Sequence, residues 1–222
     1  MLNEKERLQI IKYVDHTELN PTAGTSDILK TVREGIKWGA RAVCIPASFT
    51  SEAVAESAGR IDIAVVTGFP NGYDSTAAKL KETEYAIENG AAETDTVINI
   101  GRFIGGEYDY CLKELSALKK LSGNKILKVI VECCYLNEAQ KIDVCKLVTD
   151  SGADFIKTST GFGKGGAVAE DVKLFAKHVG AGVKIKAAGG IRDFETAAAM
   201  IAAGASRIGA SRLISILEAD NP

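Results

Sequence analysis

Eight short β-rich runs recur along this chain with helical patterns between them, and that alternation constrains the fold more than any single motif. They read YVDHT at 13–17, AVCI at 42–45, IDIAVVTGF at 61–69, ETDTVINI at 93–100, LKVIVE at 127–132, DFIKTS at 154–159, VKIKA at 183–187 and RIGAS at 207–211. Their spacing of roughly twenty to thirty residues is what parallel neighbours require, because each needs a crossover of a dozen or more residues. Four junctions repeat one signal: Gly39-Ala40, Gly90-Ala91, Gly152-Ala153 and Gly204-Ala205 each end a helical pattern and lead into a strand. Glycine there permits a left-handed helix cap. Between the runs, apolar residues follow the helical period, as in Ile28, Val32 and Ile36 or Leu112, Leu115 and Leu118. The pattern predicts a TIM (β/α)8 barrel, a single domain over 1–222 with a short N-terminal helix, although 222 residues is near the small end for that fold. An open doubly wound sheet is the competing expectation. It explains neither eight strands in so short a chain nor the missing G-x-G-x-x-G turn after the first run.

Composition narrows the partners. A hydrophobic content of 46% with only 6% aromatic residues suits a large aliphatic core. The net charge of -2, with both signs mixed along the chain, supplies no basic stripe for nucleic acid and no polybasic membrane segment. The expected partner is a small molecule. No basic N-terminal region precedes an apolar stretch and no run of eighteen apolar residues occurs, so neither a signal peptide nor a membrane span is expected, and the expected location is cytoplasmic. Cys44, Cys111, Cys133, Cys134 and Cys145 form an odd set without a C-x-x-C pair, and His16 and His178 are far apart, so reduced thiols and no metal site are expected.

Two lysines carry the chemistry. IKTSTGFG at 156–163 puts Lys157 at the end of an apolar strand, and VKIKAAGGI at 183–191 puts Lys186 at the end of another. An ammonium is costly to bury in such a place. If both point into the barrel mouth, each disfavours the other's charge, and a neutral amine is a nucleophile able to form an imine with an aldehyde or ketone. Asp95 is the candidate proton relay. Lys184 reads as a surface residue with its head in water. The pair Asp15 and His16 reads as satisfying backbone groups, Cys44 as a small core residue, and Cys133 and Cys134 receive no role. The glycine-rich stretch Gly161 to Gly166, including Gly163, Lys164, Gly165 and Gly166, offers backbone N–H groups and a point charge to an anion. Gly189 and Gly190, then Gly209, Ala210 and Ser211, repeat that opportunity after the seventh and eighth strands, where TIM barrels often bind phosphate. Taken alone, these residues fit three activities: an imine-forming enzyme, a sugar-phosphate isomerase or epimerase with Asp95 as base, and a non-catalytic sensor of a phosphorylated metabolite.

The motifs DHT at 15–17, AVCI at 42–45, TGFPNG at 67–72, TDTVIN at 94–99, KVIVE at 128–132, GADFIKTSTGFG at 152–163, KAAGGIR at 186–192 and GASRIGAS at 204–211 occur together in one order. In that order the chain resembles the deoxyribose-phosphate aldolase family of the Schiff-base type. The resemblance implies a TIM barrel without cofactor in which Lys157 forms the Schiff base, Lys186 depresses its pKa and Asp95 transfers protons. It implies 2-deoxyribose 5-phosphate as substrate, acetaldehyde and glyceraldehyde 3-phosphate as products, a phosphate cradle at Gly163 to Gly166, Gly189-Gly190 and Gly209 to Ser211, and a homodimer as in many relatives. Thr94 and Thr96 stand where the family has apolar residues, Val168 replaces a threonine after the glycine loop, and Arg212 replaces a small residue near the phosphate. No tyrosine follows Tyr135, whereas some relatives carry one in a C-terminal tail that reaches the site.

Overall fold

A computed structural model describes residues 2–220. Eight parallel strands close into a barrel in chain order: β1 (Val14–Thr17), β2 (Ala42–Pro46), β3 (Asp62–Thr67), β4 (Glu93–Val97), β5 (Ile126–Ile130), β6 (Phe155–Lys157), β7 (Lys184–Ala188) and β8 (Arg207–Ala210). Closure is made by β8 against β1, with Asp15 opposite Gly209. A short helix, α1 (Glu4–Ile11), precedes the barrel, and α2 (Thr25–Trp38), α3 (Thr50–Ser57) and α4 (Thr76–Glu88) follow the first three strands. The β4–β5 crossover holds two helices, α5 (Ile100–Ile104) and α6 (Tyr108–Ser122). Then come α7 (Glu138–Asp150), α8 (Ala169–His178), α9 (Phe194–Ala202) and α10 (Leu213–Asp220).

The strands are buried on both faces, as parallel barrel strands are. Outward-facing Val43, Ile45, Ile63 and Val65 pack against Ile28 and Val32 of α2, and Leu127, Val129, Ile156 and Ile185 join Leu115 and Leu118 of α6 in the larger core. Each such side chain contributes about 1.5–3 kcal/mol by leaving water. The helix presses close where Gly35 faces β2, since a Cβ there would lie 2.7 Å from Val43. At the Gly-Ala junctions the glycines have φ of 69° (Gly39), 94° (Gly90), 77° (Gly152) and 119° (Gly204). Gly39 is itself the α2 cap, whereas the other three stand one residue beyond Asn89, Ser151 and Ala203.

One local expectation changes. Lys186 lies in the middle of β7 and not at its end, because the strand continues through Ala187 and Ala188, which pair with Ile208 and Gly209 of β8. Thr94 and Thr96 alternate with Asp95 and so occupy the opposite face of β4. Both are fully buried, Thr96 Oγ1 lying 3.5 Å from the Thr67 carbonyl oxygen and Thr94 Oγ1 lacking a partner among the described residues.

Candidate active site

The barrel interior is charged on six of its strands. Asp15, Glu93, Asp95, Lys128, Lys157, Lys186 and Arg207 all point inward and are at most 4% exposed. On β2 and β3, Cys44, Ala64 and Val66 form a buried apolar patch. Charges so deep persist only when paired and hydrogen-bonded.

Asp95 is the centre of this arrangement. Its Oδ1 accepts from Lys128 Nζ at 2.6 Å, and its Oδ2 accepts from Lys157 Nζ at 2.8 Å and from Lys186 Nζ at 2.7 Å. The three residues singled out from the sequence therefore meet at one carboxylate oxygen. Lys186 Nζ also donates to Asp15 Oδ2. Burial pushes the Asp95 carboxyl up, but the ammonium groups of Lys128, Lys157 and Lys186 outweigh it and hold the group well below the usual carboxylate range. Asp15 is likewise brought down to about 2: burial opposes its charge, and Lys186, Lys128 and Arg207 outweigh that. For Lys186 burial disfavours the ammonium, while Asp15 and Asp95 favour it more strongly, so its pKa lies above the ordinary lysine range. Mutual repulsion of two lysines is thus not the whole electrostatics. A carboxylate oxygen stands between them, and Lys186 is a fixed cation.

Among the basic groups of the interior, Lys157 alone lines the cavity at the barrel mouth, a space of about 390 Å³. Gly189, Gly190, Gly209 and Ser211 line the same cavity, together with Gly161, Arg192 and Arg212. Among the described residues, nothing accepts from the backbone N–H groups of Gly190, Ser211 and Arg212. Those N–H groups and two exposed guanidinium groups suit an anion at the end opposite Lys157. The rest of the glycine stretch lies elsewhere. Gly163 lines a neighbouring cavity, the Lys164 ammonium lies over the Tyr135 ring at 5.2 Å, Gly165 packs on Cys134, and Gly166 packs on the Gly189 backbone, where a Cβ would come within 2.3 Å of its oxygen. Phe162, edge-on to Phe69 at 5.4 Å, divides the two cavities. The Glu132 carboxylate, on the rim, accepts from the N–H and hydroxyl of Thr160 and braces the loop that follows Lys157.

Asp15, Glu93, Lys128 and Arg207 are the interior residues that motif reading passes over or undervalues. Glu93 and Arg207 open their strands, and Asp15 and Lys128 sit among apolar strand neighbours; an ionisable residue in either place pays a desolvation cost that only an interior partner offsets.

A closed α/β barrel with a lysine–aspartate–lysine cluster beneath a mouth lined by N–H and guanidinium groups belongs to the class of barrel enzymes that work through an amine. The chain is a member of the DeoC/LacD family of aldolases, whose model matches residues 9–218. It is 49% identical to the deoxyribose-phosphate aldolase of Clostridium botulinum (strain Eklund 17B / Type B), across 96% of this chain and 96% of that protein. Among solved structures, the aldolase QR15 superposes with a TM-score of 0.91 at 39% identity, covering 95% of each chain. The tetrameric deoxyribose phosphate aldolase from Aeropyrum pernix gives 0.88 at 27% identity, covering 99% of this chain and 98% of its own.

Proposed function

We propose that this protein, with the barrel as its one domain, is a Schiff-base aldolase that reversibly cleaves 2-deoxy-D-ribose 5-phosphate to acetaldehyde and D-glyceraldehyde 3-phosphate. The observation that carries the reading is the shared carboxylate: Asp95 Oδ2 bonds at once to the cavity-lining Lys157 and to the buried Lys186. Membership of an aldolase family and the near relatives' activity support it.

In this reaction the neutral Lys157 amine attacks the C1 aldehyde of the open-chain sugar and loses water to give a protonated imine. That imine is the electron sink, so no cofactor enters the step. The C3 hydroxyl gives up its proton, the C2–C3 bond breaks, C3 becomes the aldehyde of glyceraldehyde 3-phosphate, and the bonding pair moves into an enamine on Lys157. Protonation at C2 and hydrolysis then release acetaldehyde and restore the amine. Asp95, bonded to both lysines, relays these protons, while Lys186 stays charged and stabilises the carboxylate. The phosphate is held by Gly189, Gly190, Gly209 and Ser211, with Arg212 adding charge. Gly163, Lys164, Gly165 and Gly166 shape and shield the loop from the side of the neighbouring cavity.

Among the described residues no helix is long and apolar enough to cross a membrane. A cytoplasmic location and assembly into a homodimer belong to the same proposal, and a monomer mass by light scattering would remove the dimer. The function is tested by incubating the protein with 2-deoxyribose 5-phosphate. Release of one acetaldehyde per glyceraldehyde 3-phosphate is expected. Conversion to an isomeric sugar phosphate without acetaldehyde, or binding without turnover, would overturn the reading.

A further inference from the structure

Six of the interior charges form a closed ring of alternating sign. Glu93 receives Lys128 at 2.5 Å, and Lys128 donates to Asp95 at 2.6 Å. Asp95 receives Lys186 at 2.7 Å, Lys186 donates to Asp15, and Asp15 receives Arg207 at 2.6 Å. Arg207 returns to Glu93 through two N–H groups at 3.1 and 3.2 Å. Three carboxylates and three cations cancel. Lys157 is a spur on this ring, joined through Asp95 Oδ2, so its ammonium would be the one charge of this seven-residue cluster left unmatched. A net charge in such surroundings is costly, and the group that relieves it is the one whose charge is unmatched.

We propose that Glu93, Lys128 and Arg207, which lie beneath the lysine pair and touch no part of the cavity, are positioning residues whose charge balance makes Lys157 the amine that gives up its proton. This rests on the Schiff-base reading above and deepens it. The neighbouring groups are common to all the variants below. From β2 comes Cys44, whose thiol burial pushes up and keeps neutral. At the floor Arg41 lies 4.0 Å from Glu93 but is matched by Asp62 at 2.6 Å. Beyond the ring, the buried Glu132 carboxylate accepts from Thr160 and has no cation partner among the described residues, but it is the same in every variant and so leaves the sign of each displacement unchanged, while Arg192 and Arg212 are solvent-exposed, where water and salt screen them. The ring also fixes geometry: with Oδ1 of Asp95 held by Lys128, Oδ2 is left to both catalytic-site lysines.

The sign of the charge makes the inference testable. Glu93→Gln leaves the ring one charge more positive, so the acid limb of the kcat/KM profile should move down by about one pH unit. Lys128→Met leaves it one charge more negative, and the limb should move up by a similar amount. The double variant Glu93→Gln/Lys128→Met restores neutrality and should bring the limb back. A purely structural role lowers activity in both single variants without displacing their limbs in opposite directions, and limbs that stay put or move together would overturn the proposal. Should Lys128→Met not fold, the near-isosteric Glu93→Gln carries the test alone, because its predicted displacement has a sign. The pH dependence of imine trapping by acetaldehyde and borohydride reads the same limb without turnover. Trapping on Lys157 in the unaltered protein keeps the Schiff-base reading separate, since that reading stands or falls on the adduct and this one on the displacement.

Discussion

Lys186 is held as an ammonium between Asp15 and Asp95, so removing it acts on charge before it acts on packing. Lys186→Leu should move the acid limb of the pH–rate profile upward, because Asp95 Oδ2 is then left to Lys157 alone and holds its proton, while Oδ1 stays with Lys128. It should also lower kcat near neutrality by about a hundredfold or more, the scale of a proton relay left misplaced when Asp95 loses its partner. A limb in its original place would contradict the assigned role. At the far end of the cavity Arg212 makes no ion pair among the described residues. Arg212→Ser should raise KM for the phosphorylated substrate about tenfold, the size of an exposed charge-assisted contact, and leave kcat/KM for unphosphorylated 2-deoxyribose unchanged. Equal losses on both substrates would place Arg212 outside phosphate recognition. Sequence motifs point directly to Lys157, Lys186 and Asp95. Asp15 is harder to read, because a strand-end Asp-His pair looks alike whether its carboxylate turns inward to a lysine from a strand 171 residues away or outward to its own backbone. Only barrel closure decides it.

The eight strands are legible in the sequence because parallel barrel strands are apolar runs at regular spacing, and Val43, Ile63, Val129 and Ile185 show that spacing plainly. Strand ends are less so: AAGG after Lys186 carries no mark that Ala187 and Ala188 remain paired before Gly189 turns. At α8 the sequence departs from good capping chemistry. Val168 is its N-cap residue, extended, half-exposed and without a side-chain acceptor for the first turn. Val168→Thr should therefore stabilise the protein by about 1 kcal/mol and raise its Tm by a few degrees, with kcat unchanged. A neutral or lowered Tm would show that the α8 terminus is already satisfied.

For the molecule as a whole, a charged barrel interior makes stability depend on acid. Asp15 binds its proton at about 2 in the folded state, against an ordinary value of 3.8. Its contribution of about 2 kcal/mol is therefore fully present above about pH 4 and lost as the pH falls from about 4 to about 2, with Asp95 adding in the same direction. Thermal melts should be level from about pH 5 to neutrality and fall steeply below pH 4; a Tm unchanged down to about pH 3 would contradict the paired interior. That interior draws on six of the eight strands and converges on one amine at the cavity, so the most direct test is made there. The protein is treated with acetaldehyde and borohydride, weighed intact and mapped by peptides. A single N-ethyl group on Lys157, absent from Lys157→Ala, is the predicted result. A folded protein that carries no adduct, or carries it on Lys186 or Lys128, would contradict the account.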